Sequence, residues 1–136
     1  MNGVLNYSSA DDNNILRLIA MVREGIKFTN FTEFVKSSPF NLNEWSGFLH
    51  LSERTMQRYQ KEKATFSTTH SEKILQITLL FNYGIEVFGN KEKFNTWLET
   101  DNLALGKIKP KELLDNSFGI NLIKDELTRI EHGVLA

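Results

Sequence analysis

The segment from Ile74 to Phe88 constrains the fold of this chain more than any other, because it is apolar on two faces of one helix. Two sets of residues recur along it at helical spacing: Ile74, Ile77, Phe81, Ile85 and Phe88 on one face, and Leu75, Leu79, Tyr83 and Val87 on the other. Both faces must be covered. In a chain of this size the segment is therefore either the central helix of the fold or a helix that packs across a dimer interface.

The overall composition is that of an ordinary globular chain. Of its 136 residues, 40% are hydrophobic and 24% charged, which suffices for one compact core or for two small helical modules that share one. The recurrent helical spacing and the presence of only two prolines predict an all-α fold. The chain has no cysteine, and Arg17 interrupts the apolar run from Ile15 to Val22. We therefore expect a cytoplasmic protein without disulfides, signal peptide or membrane span.

Local signals divide the rest of the chain into short helices. A polar stretch, which we expect to be loose, precedes a first helix from Asp11 to Glu24. Its apolar stripe is formed by Ile15, Leu18, Ile19, Val22 and Ile26. Three pairs have the spacing of capping boxes and predict further helix starts: Asn30 with Glu33, Asn41 with Glu44, and Thr69 with Glu72.

The second half of the chain is read in the same way. Gly89 and Asn90 end the apolar segment and start a helix through Trp97 and Leu98, and Leu103 to Lys109 is a linker. A short helix follows from Pro110 to Asp115. A last helix starts near Ser117 and carries its apolar residues on one side: Leu122, Ile123, Leu127 and Ile130.

The stretch from Leu42 to Lys61 has the spacing of a helix-turn-helix. Ser46 supplies the small residue of the first helix, Leu49 and Leu51 flank the turn, and Met56 with Tyr59 anchors the second helix. His50 stands where glycine is common, so we expect a less regular turn. The DNA-facing residues predicted from this arrangement are Ser52, which is also the expected N-cap, Arg54, Thr55, Gln57, Arg58 and Lys61.

The charge of this region is modest. The chain has a formal net charge of −1, so binding to nucleic acid requires a local basic patch. From Ser52 to Lys63, four basic residues stand against two acidic ones. A short helical pair with a few basic residues can also be a packing element of an adaptor that does not bind DNA. A second basic cluster, Lys107, Lys109 and Lys111, is interpreted as a solvated loop beside a helix start.

Residue patterns for catalysis and metal binding are missing from the sequence. The three histidines, His50, His70 and His132, lack the spacing of a zinc helix, and cysteine is absent. There is no glycine-rich phosphate loop and no nucleophile elbow. We therefore expect neither an enzyme nor a bound cofactor or metal. His132 is assigned to the C-terminal end of the last helix.

The end of the chain is short and apolar. Gly133 allows the backbone to leave the last helix with a positive φ, and Val134, Leu135 and Ala136 follow. Most chain ends are polar and frayed. An apolar end lies either on its own core or in a pocket of a partner, and both alternatives remain open at this point.

Five landmarks in this order resemble the Xre/MbcA/ParS family of antitoxins over about residues 25–136. They are the run Leu51-Ser52-Glu53-Arg54-Thr55-Met56-Gln57-Arg58, then Glu86-Val87-Phe88-Gly89, then Trp97-Leu98, then Ala104-Leu105-Gly106 with Pro110 and Glu112-Leu113-Leu114-Asp115, and finally Arg129-Ile130-Glu131-His132-Gly133-Val134-Leu135-Ala136. The chain departs from the family at its tail, where an aromatic residue is common at the position of Leu135 and a tyrosine at that of His132.

The resemblance implies a type II antitoxin that binds a RES-domain toxin, an enzyme that consumes NAD, and blocks its active site. It also implies a homodimer that binds operator DNA and represses its own operon. We expect an N-terminal segment and first helix (1–24), a helix-turn-helix domain (25–68) and a C-terminal toxin-binding and dimerisation domain (69–136). By position, the toxin-binding residues are Arg129, Glu131, Gly133, Val134, Leu135 and Ala136. The alternative is a stand-alone transcriptional regulator that uses its C-terminal domain only to dimerise.

Overall fold

The computed structural model describes Leu5, Tyr7 and residues 12–133, and over these residues the chain is all-α, as predicted. Seven α-helices follow in order: α1 (Asp12–Glu24), α2 (Phe28–Ser37), α3 (Leu42–Phe48), α4 (Glu53–Glu62), α5 (Thr68–Phe88), α6 (Lys91–Leu98) and α7 (Ser117–Glu131). Two short 3₁₀-helices, Leu103–Leu105 and Pro110–Leu113, connect α6 to α7. The described residues contain no strand longer than an isolated bridge.

α5 is the central helix, which confirms the first alternative for its two apolar faces. Its buried residues lie on both sides of the helix: Ser71, Ile74, Leu75, Ile77, Thr78, Leu80, Phe81, Tyr83 and Gly84. α1, α6 and α7 all pack against it. The approach of α6 is close, because the ring of Phe94 lies where a side chain at position 84 would begin. Only glycine fits there.

The apolar stripe predicted on α1 is only partly buried. Leu18, Met21 and Val22 pack against the core, whereas Ile15 and Ile19 are exposed to 43% and 38%. The prediction of one buried stripe is wrong for Ile15 and Ile19. The face of α1 that packs against the core is instead the one that carries Leu18, Met21 and Val22.

Two of the three predicted capping boxes are wrong. α2 begins at Phe28 after Lys27, which makes no side-chain cap, and Asn30 lies within the helix. α5 is capped by Ser67, whose hydroxyl accepts a hydrogen bond from the backbone N–H of His70, so Thr69 is also helical. Only the box of Asn41 and Glu44, at the start of α3, is formed in both directions. α5 starts earlier than predicted because Ser67 is the cap that forms. α2 starts earlier because its first residue, Phe28, is buried in the core.

α7 begins after Asn116, whose side chain caps the backbone N–H of Gly119. Ile120, Ile123 and Leu127 are buried on its inner face. The prediction that Leu122 lies on that face is wrong, because Leu122 is 43% exposed and Ile120 takes the inner position. Phe118, one turn before Leu122, is 90% exposed.

Candidate functional site

The predicted helix-turn-helix consists of α3, a tight turn and α4. Ser46 is buried in α3, and Leu49 is buried at the turn. His50 adopts a left-handed backbone with φ of 58°. The N–H of Leu51 then bonds to the carbonyl of Ser46 (2.9 Å) and that of His50 to Gly47 (3.2 Å), the pair of bonds of a Schellman motif. The expected irregularity is therefore wrong: His50 takes the glycine conformation and the turn closes normally.

α4 presents its polar face to solvent. The hydroxyl of Ser52 caps the helix by accepting from the N–H of Thr55 (3.0 Å) and donates to the Thr55 hydroxyl (2.9 Å). Met56 is buried and fixes the rotation of the helix. Four predicted DNA-facing residues are consequently exposed: Arg54, Gln57, Arg58 and Lys61. Ser52 is exposed and Thr55 half-buried, and both hydroxyls are engaged at the helix start.

The cations of α4 are not neutralised by neighbouring carboxylates. Over the part of the chain that the structure describes, none of Arg54, Arg58 and Lys61 is in a salt bridge. The Arg58 guanidinium lies 5.7 Å from the ring centroid of Tyr59. These exposed side chains are thus available to an anionic partner.

The helix-turn-helix is tied to the C-terminal half by two polar contacts. His50 Nε2 lies 2.7 Å from the carbonyl oxygen of Asp115, just before α7. Lys111 forms ion pairs with Glu44 of α3 and, at 2.6 Å, with Glu99 after α6. Burial lowers the pKa of Lys111, but both carboxylates outweigh it and raise the pKa above its ordinary value. The interpretation of Lys111 as part of a solvated loop is therefore wrong, whereas Lys107 and Lys109 are exposed.

The predicted toxin-binding residues gather at the end of α7 as far as the structure describes it. Arg129 is exposed and pairs with Glu126 (2.8 Å). Glu131 accepts a hydrogen bond from the hydroxyl of Tyr83 on α5 (2.7 Å). His132 is the C-cap, as predicted, and Gly133 has the expected positive φ of 69°. Val134, Leu135 and Ala136 lie outside the described residues.

A tyrosine cluster that the sequence did not predict lies beside this helix end. Tyr83 also approaches the hydroxyl of Thr128 (3.1 Å), and the ring of Tyr7 packs edge-on against the Tyr83 ring at 5.6 Å. The Lys124 ammonium sits 3.9 Å from the centroid of the Tyr7 ring. Burial, followed by the charge of Tyr83, raises the pKa of Tyr7 to about 12. Burial is also the largest of the causes that raise the pKa of Tyr83.

The polarity of the N-terminal stretch predicted a loose segment, but two of its residues, Leu5 and Tyr7, contact α5. Asn82 of α5 donates to the carbonyl oxygen of Leu5 (2.7 Å), two residues before Tyr7. This hydrogen bond and the contact between the Tyr7 and Tyr83 rings both join residues far apart in the sequence. Leu5 and Tyr7 themselves were the sequence signal for these contacts, since each has an apolar surface that a loose segment would leave in water.

Two features, a metal-ligand cluster and a membrane-spanning helix, are absent from the described residues. These residues contain no group of three or more His, Cys, Asp or Glu side chains placed to hold a metal ion. Within the same residues, no helix is both long and apolar enough to cross a membrane.

Two family models match the chain. The Antitoxin Xre-like helix-turn-helix domain matches residues 17–78, and the Antitoxin Xre/MbcA/ParS C-terminal toxin-binding domain matches residues 84–133. Among curated proteins, the chain is similar to antitoxin Xre of Photorhabdus laumondii, with 24% identity over 120 residues that span 88% of this chain and 81% of the relative. It is also similar to antitoxin Xre of Yersinia enterocolitica, with 30% identity over 84 residues, 61% of this chain and 57% of that protein. Neither matched domain is that of an enzyme family.

Proposed function

Because the chain belongs to the Xre/MbcA/ParS family of antitoxins, we propose that it neutralises a RES-domain, NAD-consuming toxin by inserting its C-terminal segment into the toxin's active site. The observation that carries this proposal is the end of α7. There, exposed Arg129 and half-exposed Glu131 lead into Gly133, whose left-handed backbone directs the chain out of the helix. A short apolar segment, Val134 to Ala136, follows in the sequence. It can bury apolar area in the active-site cleft of the toxin.

Deletion of Gly133 to Ala136 tests this mechanism. We expect the shortened chain to lose protection in cells that express the toxin encoded by the adjacent gene. Gly133 is exposed and is not part of the hydrophobic core, and we expect the thermal unfolding midpoint not to change. Full protection by the shortened chain would refute insertion of the tail. A toxin that never co-purifies with the full-length chain would favour a stand-alone regulator instead.

We also propose that α4 binds operator DNA and represses the antitoxin's own operon. Exposed Arg54, Gln57 and Arg58 offer guanidinium and amide groups to base edges, and Lys61 offers a cation to phosphate. The support is that these cations stay unpaired in a chain whose formal net charge is −1. The attraction is thus local to one helix, and its Ser52 cap and Met56 anchor hold that helix rigidly.

Replacing both Arg54 and Arg58 by alanine tests this assignment. We expect weaker binding to the upstream promoter DNA and a fall of about 2 in the slope of log affinity against log salt. The matched control replaces two exposed lysines away from α4, Lys93 and Lys109, and removes the same charge. Equal losses in both variants would mean that only net charge matters and that α4 is not the recognition helix. Toxin binding should be unaffected in the variant that lacks Arg54 and Arg58.

We propose that the chain forms a homodimer through its C-terminal half, where apolar surface is available on α7. Phe118 and Leu122 lie one turn apart and are exposed to 90% and 43%. The two side chains are neighbours on one face of the helix, so a second copy of the chain could cover both. Sedimentation of the wild type should give a dimer, and replacement of both residues by serine should give a folded monomer. A dimer that persists in this variant would place the contact elsewhere.

A further inference from the structure

The hydroxyl of Tyr83 joins the central helix to the last turn of α7. It lies 2.7 Å from Oε1 of Glu131 and 3.1 Å from the hydroxyl oxygen of Thr128. The Thr128 hydroxyl donates its own hydrogen to the carbonyl oxygen of Lys124 (2.9 Å), so it can only accept from Tyr83. Because the Tyr83 hydroxyl has a single hydrogen, that hydrogen goes to the closer acceptor, the Glu131 carboxylate, and the Thr128 oxygen remains a longer contact.

Tyr7 covers this bond from the other side of the chain. Its ring packs edge-on against Tyr83, with 79° between the ring planes, and carries the Lys124 ammonium on its face. Asn82, the residue before Tyr83 in α5, donates a hydrogen bond to the carbonyl oxygen of Leu5. This bond holds the backbone of the N-terminal stretch beside α5. The donor of this hydrogen bond, Tyr83, is buried, so the bond is stronger than one between two side chains that both lie on an open surface.

The position of the bond gives it a consequence for the tail. Glu131 is the last residue of α7 and precedes Gly133 by two residues. Helix ends fray unless side chains hold them. With Glu131 fixed to α5, the left-handed Gly133 starts the C-terminal segment from a defined place and in a defined direction. A helix end that is already held in place before binding loses less conformational entropy when it binds.

We propose that Tyr83, covered by Tyr7, is a positioning residue for toxin binding, which holds the last turn of α7 against α5 so that the C-terminal segment leaves in a fixed direction. The N-terminal stretch then contributes to toxin affinity without contacting the toxin. This inference rests on the proposed function of the C-terminal segment. It differs from a direct contact, because it assigns Glu131 a partner inside the antitoxin.

Replacement of Tyr83 by phenylalanine tests the first part. The ring remains, and Glu131 is half exposed, so water can replace the lost bond and the fold survives. We expect amide hydrogen exchange at residues 129–133 to become roughly tenfold faster and affinity for the purified product of the adjacent toxin gene to fall by a similar factor. The matched control, Tyr59→Phe on α4, removes the same atom and should change neither quantity.

Unchanged exchange in the Tyr83→Phe variant would show that the bond does not hold the helix end, and faster exchange with unchanged affinity would show that holding it does not matter. Either result overturns the inference and leaves the proposed function standing. The proposed function fails separately, if deletion of Gly133 to Ala136 does not reduce affinity for the same toxin. In that case the exchange difference caused by Tyr83→Phe would remain.

Two variants of Tyr7 test the role of the N-terminal stretch. Tyr7→Phe keeps the aromatic contact with Tyr83 and the cation on its face, and we expect wild-type affinity and exchange. Tyr7→Ala uncovers the bond, and we expect exchange and affinity to change in the same direction as in Tyr83→Phe. Wild-type behaviour of Tyr7→Ala would overturn the role of the N-terminal stretch. DNA binding serves as the internal control and should be the same in the three variants of Tyr83 and Tyr7.

Discussion

The contact between Gly119 of α7 and the short helix before it leads to a quantitative prediction. A Cβ atom added at residue 119 would lie 1.9 Å from the carbonyl oxygen of Leu113 and 2.8 Å from its carbonyl carbon. Ordinary contacts between such atoms are about 3.5 Å. Leu113 cannot retreat easily, because Pro110 and Leu114 on either side are buried and Lys111 is held by two carboxylates.

We therefore expect Gly119→Ala to destabilise the protein. Overpacking against an immobile group costs roughly 1–3 kcal/mol, occasionally more. Alanine is favoured over glycine within a helix by about 1 kcal/mol, which offsets part of this cost. A steric cost at or above the upper end of its range leaves a net loss of about 2 kcal/mol. For a domain of this length, that corresponds to a fall of roughly 6–8 °C in the unfolding midpoint.

Gly47→Ala is the matched control. Gly47 lies on the exposed face of α3, and nothing stands within 4 Å of an added Cβ. The same substitution should therefore raise the midpoint by a few degrees, through helix propensity alone, on the order of 0.5–1 kcal/mol. Differential scanning calorimetry of both variants measures the contrast. If Gly119→Ala unfolded at or above the wild-type temperature, the packing of α7 against the preceding helix would be looser than described.

Three further predictions concern charge, ionisation and capping. Lys111→Met should cost about 1–2 kcal/mol in urea denaturation, because two carboxylates lose their shared cation, and exposed Lys109→Met should cost nearly nothing. The raised pKa of Tyr7 favours the folded state below about pH 10, and this contribution is lost as the pH rises to about 12; Tyr7→Phe should flatten that part of the stability curve. Asn41→Ala should cost about 1 kcal/mol by removing the capping box of α3, and an unchanged urea midpoint would contradict that role.

Signals between near neighbours in the chain were sufficient to predict most of the fold. The Ser52 cap, the buried Met56 and the Asn41 box are set by residues a few positions apart, so the helix-turn-helix could be read directly. The family resemblance added the order of the two domains. The two apolar faces of α5 predicted either a central helix or a helix at a dimer interface, and the structure shows the first.

Pairings between distant residues could not be predicted. His50 meets the Asp115 carbonyl and Tyr83 meets Glu131 across separations of 65 and 48 residues. In the sequence His50 has a local role at the turn and Tyr83 a place on an apolar helix face, so neither pattern indicates a distant hydrogen-bond partner. The rotation of α1 failed for a related reason: which of two neighbouring apolar faces is buried depends on the surface of α5 that it meets, and not on α1 itself. The predicted contacts of the final residues remain predictions.

The central helix also fixes the orientation of the two halves of the antitoxin relative to each other. The helix-turn-helix match ends at residue 78 and the C-terminal match begins at residue 84, yet both positions lie within the unbroken α5. Each residue of an α-helix advances the chain by about 1.5 Å and turns it by roughly 100°. One residue inserted between positions 79 and 83 would thus swing everything downstream by more than a quarter turn. Chimeras that exchange halves between relatives must therefore preserve the length of this stretch to the residue.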